Sequence, residues 1–388
     1  MRKKIYFEYP IDWFKESKVE QITFIQNIIR ACFELEFELV CIPAPYPSYG
    51  ITRLSSKHSL ISFHSYENPE NVLSYKEAPI KGLFSLDKKG YAGWSDICLN
   101  FSTYIHQIEK ISSNEIKETL DYYREQLLNG NSKHPQHIEN KKLPEKYLLF
   151  PLQVRTDSVA AHANLDMADV LKKVSFFAKK YKKNVVVKVH PYCNSEVIKA
   201  IQFIEAEENP YFHTSNTHII QLIQEADKVL SCNSGASLEA LILGKDVSCF
   251  GKSEWYEITN KIEVDEELEQ IFIQPSNHRL SFFQEQYLTF LLKYYWLKDD
   301  DLRKIKQILF NLQPREDIHS EEFADIYSEF TNNLLTEQTY LTNAKNRIAL
   351  IEKDFQYMQQ ILNYFRRRPW KVFKLFIQQR IMKLKKRK

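Results

Sequence analysis

Between residues 146 and 251, runs of strand character alternate with runs of helical spacing, and this alternation leaves few folds open to the chain. Residues 147–153, 184–189, 211–213, 228–231 and 246–250 read as strands, and 167–181, 195–206, 218–226 and 237–243 as helices. Strands separated by helices predict a parallel sheet with helices on both faces, and such sheets bind ligands outside the carboxyl ends of their strands. Asp157, His190 and Ser234 all fall just after a strand. Ser234-Gly235, at the start of a helix, offers unpaired backbone N–H groups and the positive end of a helix dipole. A phosphate suits that place, so a nucleotide is the expected ligand. Neither a GxGxxG fingerprint nor a GxxxxGK[ST] phosphate loop occurs.

At 388 residues the chain is long enough for two lobes, each with its own core. Residues 1–145 read as a first α/β lobe, with strands at 4–7, 38–42 and 60–64 and a helix over 19–33. Residues 129–144, with Gly130, Asn131, Ser132 and two prolines, read as the linker to a second lobe over 146–275. Within that lobe 268–272 is a candidate final or edge strand. Helices follow: 282–312 is aromatic-rich, and residues 276–345 as a whole are expected to pack across the lobes. The six cysteines are scattered, with no CxxC spacing, and read as reduced thiols. No signal-peptide pattern and no apolar run of spanning length is present, which points to a cytoplasmic location.

Two stretches stand apart. One is Leu86-Asp87-Lys88-Lys89-Gly90-Tyr91-Ala92-Gly93-Trp94-Ser95-Asp96, which spends two of only eight glycines around two aromatics. Such a stretch is either a tight structural turn or a backbone that approaches a ligand, with ring faces for sugars. The other is the C-terminal region 346–388, where Trp370, Phe373, Ile377, Ile381 and Leu384 recur at helical steps among Lys and Arg. From Arg366 onward there are 11 Lys or Arg and no Asp or Glu; removing them from the net charge of +3 leaves the rest of the chain at −8. A basic amphipathic helix on an acidic body suits an anionic bilayer surface rather than nucleic acid, with a solvated basic tail as the plainer alternative.

The runs Gln153-Val154-Arg155-Thr156-Asp157-Ser158, Lys188-Val189-His190-Pro191, Ser231-Cys232-Asn233-Ser234-Gly235-Ala236-Ser237-Leu238-Glu239 and Cys249-Phe250-Gly251 resemble, in order and spacing, the bacterial capsular polysaccharide synthesis family. Its members include the retaining β-Kdo (3-deoxy-D-manno-octulosonic acid) glycosyltransferases of capsule linkers and O-antigen ends. The Asp87 to Ser95 stretch resembles a first-lobe motif of the same family. The resemblance implies an α/β, GT-B-like fold of two Rossmann-like lobes around a central cleft, with C-terminal helices. It implies CMP-β-Kdo as donor substrate, no metal and no further cofactor. Asp157 would be the nucleophile that forms a glycosyl-enzyme adduct, and a carboxylate nucleophile of this kind divides one hard substitution into two easier ones. His190 and Lys188 would meet the departing CMP phosphate. Ser234, Gly235 and Ser237 would hold phosphate, Glu239 the ribose, and Gln153 and Arg155 would complete the nucleotide site. Asp87 would be the base for the acceptor hydroxyl, and Tyr91 and Trp94 would stack on the acceptor.

Each position also has a plainer reading: Asp157 as a helix cap, His190-Pro191 as a turn, Glu239 as a first-turn acid. Ala236-Ser237 and Ser253-Glu254-Trp255-Tyr256 depart from the pattern of many relatives, which leaves the sugar less constrained than the nucleotide. The expected activity is transfer of Kdo to a lipid-linked or polysaccharide acceptor by an enzyme peripheral to the inner face of the cytoplasmic membrane. The alternatives are a GT-B transferase for CMP-sialic acid or a UDP- or GDP-sugar, and a non-catalytic assembly protein at the membrane surface.

Overall fold

Long buried apolar runs form the centre of each of two six-stranded sheets, and both sheets belong to one unit of the chain. The computed structural model describes residues 4–14, 18–44, 59–130, 143–154, 157–190, 195–277 and 279–312. By contact the chain divides into Met1–Asp317 and Ile318–Lys388, and every described residue lies in the first unit. The expected basic tail helix, and Arg155 of the expected nucleotide site, fall outside the described residues.

The first lobe opens with β1 (Lys4–Pro10), α1 (Val19–Glu34), β2 (Glu38–Ala44), β3 (Leu60–Phe63), β4 (Val72–Glu77) and β5 (Leu83–Asp87). β2, β1, β3 and β4 lie side by side in parallel, and β5 returns antiparallel beside β4. α1 is helical because Phe24, Ile25, Ile28, Ala31 and Cys32 recur on one face, and all five are buried. Short helices α2 (Asp96–Leu99) and α3 (Ile105–Ile108) then lead to α4 (Ser113–Leu128), whose first turn is closed by a capping box between Ser112 and Glu115.

The second lobe is a βα repeat: β6 (Tyr147–Pro151), α5 (Met167–Tyr181), β7 (Asn184–Lys188), α6 (Ser195–Ala206), β8 (Phe212–Thr214), α7 (Ile219–Glu225), β9 (Lys228–Ser231), α8 (Gly235–Ile242), β10 (Asp246–Cys249) and β11 (Asn260–Lys261). Its strand order is β11-β10-β9-β6-β7-β8, and every neighbouring pair is parallel. Val185, Val186 and Val187 are fully buried on consecutive positions, as a parallel strand covered on both faces requires. The chain leaves β6 toward β7 and β8, then returns to place β9 on the other side of β6. That reversal between β6 and β9 is the switch point of the sheet.

α9 (Asp265–Ile273), α10 (Phe282–Phe290), β12 (Leu297–Lys298) and α11 (Leu302–Phe310) complete the unit. Residues 268–272, expected as a strand, are instead part of α9. Asp265, Glu266 and Glu267 favour a helix start, and Leu268, Ile271 and Phe272 bury one helical face rather than alternating. The expected continuous helical region 282–312 is likewise interrupted. After a π-helical turn, Leu291–Tyr295, β12 pairs antiparallel with β5 at the edge of the first sheet. α11 then completes the first lobe's core, where Leu297, Ile305, Leu309 and Leu312 join Phe24, Ile28 and Phe84.

The lobes share one core. Ile97, Ile108, Leu120 and Tyr123 of the first half form a single buried cluster with Leu149, Val229, Leu241, Trp255 and Tyr287 of the second. The two-lobe α/β class expected from the sequence is the class observed. Because Leu309 is fully buried in a core completed from the far end of the described chain, Leu309→Ala is expected to cost about 2–5 kcal/mol. Chemical denaturation of the two proteins checks this, with the loss seen in a lower midpoint.

Candidate active site

Three of the expected groups converge at the switch point. Asp157 follows β6, His190 follows β7 and Ser234 follows β9, and these are three adjacent strands running in the same direction. Asp157 is exposed and caps the 3-10 turn Ser158–His162, its carboxylate accepting from the Val159 N–H at 3.4 Å. The capping role, the plainer of the two expectations for Asp157, is thus present in the structure. His190 is near enough for the two to interact. Burial lowers the imidazole's proton affinity, Asp157 raises it, and Lys188 lowers it again. Lys188 donates from Nζ to the Thr217 carbonyl at 2.8 Å, which ties the end of β7 to the entry of α7.

Ser234 caps α8, and Gly235 is its first residue. A Cβ on Gly235 would stand 3.2 Å from Pro79 Cβ, so the helix start lies directly against the segment that follows β4 in the first lobe. Ser237 is fully buried; its hydroxyl donates to the Ser234 carbonyl at 2.6 Å and accepts from the Trp255 indole at 2.9 Å. It shapes the helix start from beneath. Gln153 is similarly engaged, accepting from the Asn233 N–H at 3.3 Å. Asn233 in turn donates to the carbonyls of Val159 and Lys252 at 2.8 and 2.9 Å, clamping together the loops after β6, β9 and β10. Glu239 differs from these. It is 7% exposed, its carboxyl has no hydrogen-bond or ion-pair partner among the described residues, and burial alone raises that carboxyl to about 7.

The first lobe brings its glycine-aromatic loop to the same place. Asp87, at the end of β5, is buried, and its carboxylate accepts from the N–H groups of Lys89, Gly90 and Asp96 at 2.6 to 3.2 Å and from the Tyr295 hydroxyl. Burial raises its pKa, and those donors act against the rise. The carboxylate thus holds the loop together. Tyr91, nearly fully buried, sets its hydroxyl 2.9 Å from Ser158 Oγ, which is itself 3.4 Å from Asp157 Oδ1. Trp94 stacks on Tyr66 at 4.0 Å between ring centroids and meets the His162 ring edge to face at 4.1 Å. The two rings expected on an acceptor each take part in the contact between the lobes.

The glycines make that contact possible. Gly90, at φ +157°, uses a backbone region L side chains rarely adopt, and a Cβ there would stand 2.9 Å from Trp94 Cβ. At Gly93 a Cβ would fall 2.4 Å from His162 Cγ, so the backbone approaches the second lobe rather than an open ligand space. Reading from the sequence missed three residues here. Glu254, buried, accepts from the Ala92 N–H at 2.9 Å, and Tyr295 reaches Asp87 from the far end of the chain. Lys76 places Nζ 4.2 Å from the Tyr91 ring centroid. Only for Glu254 did the sequence carry a signal, the departure at Ser253-Glu254-Trp255-Tyr256. Among the described residues no group of three or more His, Cys, Asp or Glu side chains is arranged to hold a metal. Gly93→Ala is expected to destabilise the protein by about 1–3 kcal/mol, because His162 must move against a packed seam. A thermal melt of Gly93→Ala beside Gly82→Ala, where a Cβ meets nothing within 4 Å, separates the clash from the backbone cost of losing a positive-φ glycine.

A model of the family described as capsule polysaccharide biosynthesis protein matches residues 85–295. Solved structures similar to this chain include two from Thermosulfurimonas dismutans KpsC. Its β-Kdo 2,7 transferase is 18% identical with a TM-score of 0.45, covering 79% of this chain and 100% of that one. Its β-Kdo 2,4 transferase is 14% identical with a TM-score of 0.45, covering 79% and 98%. The UDP-GlcNAc 2-epimerase of Methanocaldococcus jannaschii is 12% identical with a TM-score of 0.30, covering 80% and 99%. A search of curated proteins finds no match. The family match takes in more than half of the 388 residues, from the Asp87 loop through Asp157, His190 and Ser234 to Tyr295, and the chain belongs to the capsule polysaccharide biosynthesis protein family.

Proposed function

We propose that the protein is a retaining glycosyltransferase that moves Kdo from CMP-β-Kdo to a lipid-linked or polysaccharide acceptor. The observation that carries this reading is the convergence of Asp157, His190 and the start of α8 on the ends of three neighbouring strands, at the switch point of the sheet. Family membership supports it, and the resemblance of the Asp157, His190 and Ser234 motifs supplies the donor. The backbone N–H groups at the start of α8 meet the phosphate of CMP. Glu239 accepts from the ribose hydroxyls, which accounts for a buried carboxylate with no side-chain partner among the described residues.

In the first step an Asp157 oxygen attacks the anomeric carbon, the bond from that carbon to the phosphate oxygen breaks, and CMP leaves with the electron pair. His190 donates a hydrogen bond to the departing phosphate. In the second step an acceptor hydroxyl attacks the same carbon and displaces Asp157, and two inversions give net retention. The hydroxyl proton goes to a carboxylate of the first lobe. Asp87 takes that role once its shell of donors rearranges as the acceptor binds, since at rest both of its oxygens are engaged. The basic C-terminal segment holds the enzyme at an anionic membrane surface on the cytoplasmic side, where a lipid-linked acceptor resides.

Two measurements test the reading. Intact-protein mass spectrometry after incubation with CMP-Kdo, generated in place from Kdo and CTP, is expected to show a Kdo-sized covalent increase on the wild type and none on Asp157→Ala. CMP binding without any adduct would instead favour a transferase for another nucleotide sugar, and no CMP binding would favour the assembly protein. The second concerns pH. Glu239 is protonated below about 7 and ionised above it. If the ionised form accepts from ribose, CMP affinity falls by about tenfold from pH 8 to pH 6. Glu239→Gln is expected to bind more weakly at pH 8 and to lose this dependence, leaving only the titration of the phosphate itself near pH 6. Calorimetric titration with CMP across that range checks it.

A further inference from the structure

Lys76 lies near the end of β4, and its ammonium stands over the face of Tyr91, 4.2 Å from the ring centroid. Among the described residues the ammonium has neither an ion-pair partner nor a hydrogen-bond acceptor. Three carboxylates nevertheless act on it. Burial lowers its proton affinity, while Asp157, Glu254 and Glu77 raise it. A cation drawn into a half-buried position at a lobe junction, with no acceptor of its own, is unfavourable unless an anion completes it.

Two further contacts locate that anion. The hydroxyl of Tyr91, whose ring lies under Lys76, meets Ser158 at 2.9 Å, and Ser158 lies beside Asp157. Three residues after Lys76, Pro79 touches the start of α8 at Gly235, with 3.2 Å to an added Cβ. Lys76 therefore sits on the first-lobe segment that faces both the attacking carboxylate and the phosphate cradle. The reacting carbon of the donor must lie between those two groups. In a neutral hexose donor that carbon carries only hydrogen besides its ring bonds and leaving group. In a 2-keto sugar acid it carries a carboxylate, which would repel the incoming Asp157.

We propose that Lys76 binds the carboxylate of the donor sugar and so selects a sugar acid over a neutral sugar. The inference rests on the transferase reading above and adds to it the residue that determines specificity. With the ammonium on the sugar carboxylate, Asp157 approaches a neutralised centre instead of a second negative charge. Lys76 lies outside the residues matched by the family model, 85–295.

The test separates the sugar carboxylate from the phosphate as the anion bound. Lys76→Met and Lys76→Gln are compared with wild type for CMP affinity by calorimetry, and for the CMP-Kdo concentration giving half-maximal adduct at Asp157 by mass spectrometry. The expected result is CMP affinity within twofold of wild type and a rise of tenfold or more in the CMP-Kdo requirement, partly restored in Lys76→Arg. Equal weakening toward CMP and CMP-Kdo would show a phosphate contact and overturn the proposal. So would unchanged use of CMP-Kdo by both variants. Thermal melts of all variants show whether the fold is kept, and a loss confined to unfolded protein would assign Lys76 to structure and overturn it too. A wild type that binds CMP but forms no Kdo adduct would remove the reading beneath the proposal, and the proposal with it.

Discussion

The Asp87 carboxylate, buried at the end of β5, is the interaction on which the arrangement of this molecule turns. Burial raises its pKa, and three backbone N–H groups and the Tyr295 hydroxyl work against that cost. Hydrogen bonds to an ionised group are each worth about 1.5–3 kcal/mol, whereas a buried carboxylate stripped of them is costly. The loop that follows is thus folded onto Asp87, and its shape determines where Tyr91, Gly93 and Trp94 meet the second lobe. Tyr295 arrives from a π-helical turn that comes after the whole second lobe, so this first-lobe loop is complete only when both lobes and the crossing segment are in place.

From that anchor the two lobes are joined twice over. The shared core from Ile97 to Tyr287 removes apolar surface from water across the junction. Above it runs a polar layer, with the Ala92 N–H to Glu254 and Tyr91 to Ser158 across the junction, and the Tyr287 hydroxyl holding the Glu254 carbonyl at 2.5 Å. Burial pushes the Tyr91 hydroxyl up to about 12, so it serves as a neutral phenol there. The site at the switch point draws on both layers. Its strand ends are held by the Asn233 side-chain amide N–H groups, the Gln153 side-chain carbonyl and the Ser237 hydroxyl, which bond to neighbouring loops, while Asp157, His190 and Glu239 are the groups proposed to meet the ligand.

The charges at the junction have a common logic. Asp157, Glu254 and Glu77 all raise the proton affinity of Lys76, though among the described residues none forms an ion pair with it, and His190 feels both Asp157 and Lys188. Among the described residues the Lys76 ammonium is not committed to an ion pair, which suits the proposed ligand with a negative charge of its own. In a site partly closed from water such charges interact more strongly than on an open surface, and their placement is already made before the ligand arrives.

Much of this was legible in the chain itself. The βα alternation over 146–251 sufficed for the parallel sheet and for Asp157, His190 and Ser234 at its carboxyl end, because strand periodicity and helix starts are local properties of sequence. The capping role of Asp157 and the helix start at Ser234-Gly235 were equally local. The assignments that changed depended on distant partners. Residues 268–272 became helix because acids before them and a buried helical face outweighed strand propensity, and Leu297 to Leu312 returned to the first lobe because its core had an open edge. The glycines at 90 and 93 declared a close approach, but only the folded chain decided that the approaching groups were Trp94 and Tyr66 at the first and His162 at the second. The same holds for Tyr295 on Asp87, Glu254 on Ala92 and Lys76 on Tyr91. The first two join residues far apart in the chain and the third joins neighbouring segments of the first lobe; all are made by burial and packing, and spacing along the sequence does not encode which side chains packing will bring together.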